Sequence, residues 1–128
     1  MDMLKCLLVE DSLFIREIYK LCLKDESRIQ IIAETSNGQE AIQMVKKLQP
    51  DIVILDLVVP EKNGFDVLSE CAQTSSKFVV ISSLADEEYK IKAKNLGAIA
   101  YLEKPFKKLD FLKTIEMAMT EDKGVING

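Results

Sequence analysis

The sequence predicts an α/β fold in which a parallel sheet of five strands is covered on both faces by five helices. Strand-like apolar runs alternate five times with segments whose apolar residues recur at helical spacing, and this alternation is typical of α/β domains. Three runs, near residues 6–9, 52–55 and 78–81, are solidly apolar, as strands buried on both faces require. A chain of 128 residues has the size of one ordinary domain.

The first two strand–helix units contain recognisable helix starts. Ser12 follows the first strand and can cap the first helix, because its hydroxyl can accept a hydrogen bond from the first turn. Asn37 opens the second helix with Glu40 three residues later, a pattern similar to a capping box. The second strand, near residues 29–33, is diluted by Gln30, which suits an edge of the sheet. The apolar residues expected on the inward face are Phe14, Ile18, Leu21 and Cys22 in the first helix and Ala41, Val45 and Leu48 in the second.

The last three units follow the same pattern. The third helix begins at Asn63-Gly64, and the fourth covers about residues 87–96 and closes at Gly97. The fourth helix carries few apolar residues, so we expect it to be weakly anchored and mobile. The strand near residues 99–102 contains small and aromatic residues and suits the second edge. The expected inward residues are Phe65, Leu68 and Ala72 in the third helix and Leu112, Ile115 and Met119 in the fifth.

Composition excludes several classes of function. A net charge of −4 without a basic stripe argues against direct nucleic-acid binding, and apolar runs of four or five residues are too short to span a membrane. The chain has no histidine, so histidine-ligated zinc and a Ser-His-Asp triad are impossible. Cys6, Cys22 and Cys71 lack CxxC spacing and are expected to be buried free thiols in a reducing cytosol. Because the N-terminus passes directly into a strand without a signal peptide, we expect a cytoplasmic protein.

Reactive side chains follow the strands at their carboxyl ends. Glu10-Asp11 follows the first strand, Asp56 the third, Ser82 the fourth and Lys104 the fifth. In a flavodoxin-like, doubly wound sheet of order 2-1-3-4-5, the crevice at the topological switch lies between strands 1 and 3. We therefore expect three carboxylates, a hydroxyl and an ammonium group to meet at one edge of the sheet.

These groups suit a hard cation and a phosphoryl group. Two carboxylates about 4 Å apart repel by about 4 kcal/mol at an effective dielectric near 20, so three of them need a cation or a proton nearby. Oxygen ligands favour Mg²⁺ or Mn²⁺, and the paired Glu10-Asp11 are the better metal ligands. Asp56 stands alone at its strand end and is the expected nucleophile for an aspartyl phosphate. Ser82 and Lys104 can bind the phosphoryl oxygens.

Six short motifs occur in a fixed order along the chain. They are Val9-Glu10-Asp11-Ser12, residues 51–60, Asn63-Gly64, Ile81-Ser82-Ser83, Gly97-Ala98 and residues 101–106. Each is weak alone, but the ordered set is highly specific. Over residues 4–119 the chain thereby resembles the CheY-like receiver domain of bacterial response regulators. The resemblance implies a phosphorylatable switch of two-component signalling that is not an enzyme but catalyses its own phosphorylation and autodephosphorylation.

The resemblance also implies a phosphoacceptor and a metal site. Asp56 would accept a phosphoryl group from a phosphohistidine on a sensor histidine kinase or a histidine phosphotransfer protein. Asp11, Asp56 and the backbone carbonyl of Val58 would bind Mg²⁺ directly, and Glu10 would act mainly through a water molecule. Lys104 would bind the phosphoryl group, and its bond to the following proline would be cis.

The switch residues implied by the resemblance are Ser82 and Tyr101. Ser82 would move to hydrogen-bond the phosphoryl group, and Tyr101 would turn inward into the space that Ser82 leaves. The face formed by the fourth helix, the fifth strand and the fifth helix would then change for a downstream target protein or output domain. The apolar Val58 and Leu84 occupy positions where family members can carry polar residues that orient water, so we expect slow autodephosphorylation.

Alternatives to a stand-alone regulator stay open at this point. The domain, assigned to residues 1–120 and followed by a frayed tail at 121–128, could be the receiver fragment of a longer transcriptional response regulator. A pseudo-receiver that is never phosphorylated is a second alternative, disfavoured by the intact acidic, hydroxyl and lysine set. An aspartyl-phosphate phosphatase of the haloacid-dehalogenase type is disfavoured because Asp56-Leu57-Val58 follows the third strand and lacks a second aspartate.

Overall fold

A computed structural model describes residues 3–121, in which five strands alternate with five helices. The strands are β1 Leu4–Val9, β2 Ile29–Thr35, β3 Ile52–Leu55, β4 Lys77–Ser82 and β5 Ala98–Glu103. The helices are α1 Leu13–Leu23, α2 Gly38–Leu48, α3 Gly64–Glu70, α4 Glu87–Asn95 and α5 Lys108–Thr120. The predicted alternation is confirmed. The frayed tail expected at residues 121–128 lies, apart from Glu121, outside the described residues.

The five strands form one parallel sheet of order β2-β1-β3-β4-β5, which confirms the predicted flavodoxin-like topology. Alternate strand residues point to opposite faces of the sheet. On one face they pack with α2, α3 and α4 in a buried core that includes Val53 and Leu55. On the other face they pack with α1 and α5 in a second core that includes Ile52 and Ile54. None of the helices within residues 3–121 combines the length and apolar character needed to cross a bilayer.

Three of the helix starts predicted from the sequence are confirmed. The Ser12 hydroxyl accepts a hydrogen bond from Ile15 N at 3.2 Å, and Asn37 Oδ1 accepts one from Glu40 N at 2.7 Å. Asn63 and Asp66 form a complete capping box, in which each side chain accepts from the other residue's backbone N–H. α4 ends where predicted, before Gly97 with its positive φ of 110°.

The inward face predicted for α1 is wrong in part. Phe14 and Leu21 point outward, with exposed fractions of 74% and 66%, while Tyr19 and Leu23 are buried. The helix carries two apolar stripes, one with Phe14 and Leu21 and one with Tyr19 and Leu23. The second stripe is the buried one, because the Tyr19 ring packs on Phe106 and Phe111. The tyrosine hydroxyl can be buried at this position because it reaches a carboxylate oxygen of Glu10. Of the predicted residues, Ile18 and Cys22 are half-buried.

One further inward residue needs correction. Ala72 is exposed because α3 already ends at Glu70, and Cys71 is buried in its place. In α5, Ile115 is buried as predicted, together with Phe111 and Ala118. The predicted Leu112 and Met119 are half-buried and pack against the core, as does Phe65 of α3, and Leu48 of α2 is half-buried.

Candidate functional site

Three carboxylates meet at the carboxyl edge of the sheet. Val9 pairs with Leu55 across β1 and β3, so the residues that follow them, Glu10 and Asp56, lie side by side. One oxygen each from Glu10, Asp11 and Asp56 lie within 4.8 Å of one another. Glu10 and Asp56 are only 1% and 6% exposed, whereas Asp11 is exposed. The predicted acidic cluster is therefore present and largely shielded from solvent.

Lys104 reaches this cluster from the loop that follows β5. Its Nζ donates hydrogen bonds to Glu10 Oε1 at 2.5 Å and to Asp56 Oδ2 at 2.9 Å. Burial lowers the pKa of Lys104, but the hydrogen bonds to the two carboxylates outweigh this effect and raise the pKa above its usual value. The Lys104-Pro105 peptide bond is cis, as the resemblance implied.

Glu10 has partners that fix both of its oxygens. Oε2 accepts a hydrogen bond from Ser12 N at 3.1 Å, and Oε1 accepts from Lys104 Nζ and, at 3.5 Å, from the Tyr19 hydroxyl. Burial raises the pKa of Glu10, and the hydrogen bond from Lys104 opposes that rise. Tyr19 is a residue of the site that sequence reasoning missed, because it lies in the middle of α1 rather than at a strand end.

Asp56 is held by the backbone on its other side. The backbone N–H of Val58 donates to Asp56 Oδ1 at 3.1 Å, and the Val58 side chain is 54% exposed beside it. α3 begins in contact with this segment, since Gly64 N donates to Leu57 O at 2.9 Å. A Cβ on Gly64 would lie 2.6 Å from Leu57 Cα and 2.8 Å from Asp56 O, so the close approach requires glycine.

Ser82 and Tyr101 contact the same residue of the loop between β4 and α4. The buried Ser82 hydroxyl accepts from Leu84 N at 3.3 Å, and the half-buried Tyr101 donates its hydroxyl proton to Leu84 O at 2.5 Å. Burial raises the pKa of Tyr101. Ser82 O also accepts from Lys104 N at 2.9 Å, so the ends of β4 and β5 are joined next to the cluster.

This arrangement fits a hard divalent cation. Three carboxylates of the described chain each offer one hard oxygen within a small volume, and two of them are buried, which favours compensation by a positive charge. In the described chain, Lys104 supplies a single positive charge against the two buried acids. Asp56, the nucleophile expected from the sequence, is also the carboxylate that both Lys104 and the Val58 N–H contact.

Comparison with known proteins matches this chain to one family. The sequence model of the response regulator receiver domain matches residues 6–116. The chemotaxis protein CheY of Listeria monocytogenes is 34% identical over 118 residues, which cover 91% of this chain and 98% of that protein. The transcriptional regulatory protein PdtaR of Mycobacterium tuberculosis is 33% identical over 117 residues, covering 91% of this chain and 57% of PdtaR.

A solved structure agrees with these sequence matches. The response regulator domain of CheB from Thermotoga maritima superposes with a TM-score of 0.85 at 25% sequence identity. The superposition covers 94% of this chain and 98% of that one.

Proposed function

Because the chain belongs to the response regulator receiver domain family, we propose that its Asp56 is the phosphoacceptor of a two-component signalling switch. Receiver domains are signalling switches that interact with histidine kinases and output domains. The proposed donor is a phosphohistidine on a sensor histidine kinase or a histidine phosphotransfer protein. Family membership also sets aside the phosphatase alternative considered from the sequence.

The observation that carries the proposal is the contact of Lys104 Nζ with Asp56 Oδ2 at 2.9 Å inside a shielded acidic cluster. In the proposed step a carboxylate oxygen of Asp56 attacks phosphorus as the bond from phosphorus to the imidazole nitrogen breaks. The electron pair of that bond stays on the imidazole. Lys104 and the Ser82 hydroxyl then hold phosphoryl oxygens, so the domain contributes to its own phosphorylation.

Receiver domains typically use a metal at their acidic pocket, and we propose Mg²⁺ here. Asp11, Asp56 and the Val58 carbonyl would hold the ion directly, and Glu10 would act mainly through a water molecule bound to the ion. The ion supplies positive charge that offsets the carboxylates and the phosphoryl oxygens.

We propose that phosphorylation is read out through Ser82 and Tyr101. Both side chains contact the backbone of Leu84, so a Ser82 hydroxyl that turns to the phosphoryl group gives up its bond to Leu84 N. Tyr101 then follows the displaced loop inward, and the α4–β5–α5 face changes its shape for a target protein or output domain.

The setting of the domain is part of the proposal. We place it in the cytoplasm, because none of its three cysteines forms a disulfide. The sequence left open a stand-alone regulator and a receiver fragment of a longer protein. The relatives include both arrangements, since the match covers 98% of CheY but 57% of PdtaR.

The decisive experiment is treatment with acetyl phosphate and Mg²⁺ followed by mass measurement of the intact protein. We expect the wild type to gain one phosphoryl group that hydroxylamine removes, and Asp56→Asn to gain none. Asp25→Asn is the matched control, because Asp25 is exposed and makes no hydrogen bond within residues 3–121. Equal labelling of Asp56→Asn and wild type, or labelling that is unaffected by removing Mg²⁺ with a chelator, would contradict the proposal.

A further inference from the structure

Tyr19 is a buried tyrosine whose hydroxyl reaches the acidic cluster from α1. The residue has no exposed surface, and its ring packs on Phe106 and Phe111 with centroid distances of 6.0 and 5.6 Å. Phe106 follows Lys104 by two residues, so the aromatic cluster joins α1 to the loop that carries the lysine. Because three stacked rings fix the tyrosine ring, the position of its hydroxyl is fixed as well.

The hydroxyl shares its acceptor with Lys104. Glu10 Oε1 accepts from Lys104 Nζ at 2.5 Å and from the Tyr19 hydroxyl at 3.5 Å. The short bond to the ammonium group is the stronger of the two, and the tyrosine bond is at the long limit of hydrogen-bond geometry. In the unphosphorylated protein the tyrosine is thus a secondary donor to an oxygen that is already paired.

This balance changes if Lys104 turns to a phosphoryl group on Asp56, and the inference therefore rests on the proposed function. Glu10 is 1% exposed, so an oxygen that loses its ammonium partner has little access to bulk water. An unpaired buried carboxylate oxygen is costly. Apart from Lys104, the Tyr19 hydroxyl is the side-chain donor that the described chain places on Glu10 Oε1.

We infer that Tyr19 is a positioning residue whose hydroxyl keeps Glu10 Oε1 hydrogen-bonded when Lys104 turns to the phosphoryl group. The hydroxyl touches no reacting atom. It acts through Glu10, by donating a hydrogen bond to Oε1 after Lys104 leaves, while the proposed Mg²⁺ offsets the charge of the carboxylates. Its contribution therefore belongs to the phosphorylated state and is small in the unphosphorylated one.

The test compares Tyr19→Phe with Tyr89→Phe. Tyr19→Phe keeps the ring that packs on Phe106 and Phe111 and removes only the hydroxyl. Tyr89→Phe is the matched control, because Tyr89 stacks on Phe65 and its hydroxyl makes no hydrogen bond within residues 3–121. The probe is beryllofluoride, which mimics a phosphoryl group on an aspartate, and its Kd is measured by calorimetry at saturating Mg²⁺. Urea unfolding of the unliganded proteins is measured in parallel.

We expect Tyr19→Phe to bind beryllofluoride about tenfold more weakly than wild type, the effect of one hydrogen bond to a charged group. We expect Tyr89→Phe to bind like wild type, and the unliganded Tyr19→Phe to unfold at nearly the wild-type urea concentration. A purely structural role for the hydroxyl predicts the reverse pattern, in which unfolding shifts and affinity does not, and that result would overturn the inference. Failure of the wild type to bind beryllofluoride would overturn the proposed function as well.

Discussion

At the scale of single residues, Lys104 stabilises the site in the absence of a phosphoryl group. Its ammonium group lies between Glu10 and Asp56, two buried carboxylates that would otherwise repel each other. Removing one partner from a buried ion pair typically costs about 3–5 kcal/mol, because the remaining charge is left without compensation. In the proposed switch, the same charge pairs with the phosphoryl group once Mg²⁺ balances the carboxylates.

Two apolar residues beside the site set the lifetime that we expect for the proposed acyl phosphate. Val58 is 54% exposed next to Asp56, and Leu84 is half-buried in the loop that Ser82 and Tyr101 contact. Neither side chain can hydrogen-bond an attacking water. We expect Val58→Asn and Leu84→Glu each to speed autodephosphorylation by about tenfold, a modest part of what positioned proton-transfer groups contribute.

The rate is measured as the loss of phosphoryl mass from purified phosphoprotein. Val58→Ala is the control, since it removes bulk without adding a hydrogen-bonding group. If neither polar variant loses its phosphoryl group faster than Val58→Ala, the apolar side chains do not limit hydrolysis.

At the scale of elements, α4 is the least anchored of the longer helices. Ala93 is its one buried residue, Ile91 is 53% exposed, and the N-cap Asp86 makes no side-chain capping bond. An ion pair between Lys90 and Glu103 connects the helix to β5 but lies at the surface, where such pairs contribute little. α2, in contrast, has four buried residues and a hydrogen-bonded Asn37 cap.

We therefore expect the amides of α4 to exchange with solvent at least about tenfold faster than those of α2, because local opening of α4 exposes less apolar surface. Native-state hydrogen exchange followed by NMR measures both helices in one experiment. Equal protection of the two helices would show that α4 opens only with the whole domain, and the switch would then need another mobile element.

The sequence predicted the elements better than it predicted their buried faces. Solid apolar runs predicted the positions of the strands. The residues after the strand ends predicted the site, because all five strands are parallel and their carboxyl ends lie at one edge of the sheet. In α1 the sequence offered two apolar stripes, and hydrophobicity alone favoured Phe14 over Tyr19. The choice depends on rings that lie far along the chain, at Phe106 and Phe111, so no local pattern contains it.

At the scale of the whole molecule, two buried cores enclose the sheet and protect different thiols. Cys6 lies in the core under α1 and α5, and Cys71 lies in the core on the other face. Both have no exposed surface, whereas Cys22 is half-buried. Burial raises the pKa of Cys6 to about 12, so its reactive thiolate is scarce in the folded protein at neutral pH.

We expect a thiol reagent at neutral pH to modify one cysteine per folded chain, Cys22, and all three in urea. Mass measurement after timed labelling counts the modified thiols, and Cys22→Ser is the control that should leave the folded protein unlabelled over the same period. Labelling of Cys6 as fast as Cys22 would mean that the core under α1 and α5 opens without global unfolding.

The acidic cluster depends on the pairing of Val9 with Leu55, because this register places Glu10 beside Asp56. A shift of β3 by one residue against β1 would send Asp56 to the opposite face and separate it from Asp11. Chains that collapse with β1 and β3 out of register would hold these acidic residues apart, and would therefore bind divalent ions only weakly. Uptake of the proposed Mg²⁺ during refolding would therefore mark the moment at which these two strands reach their native alignment.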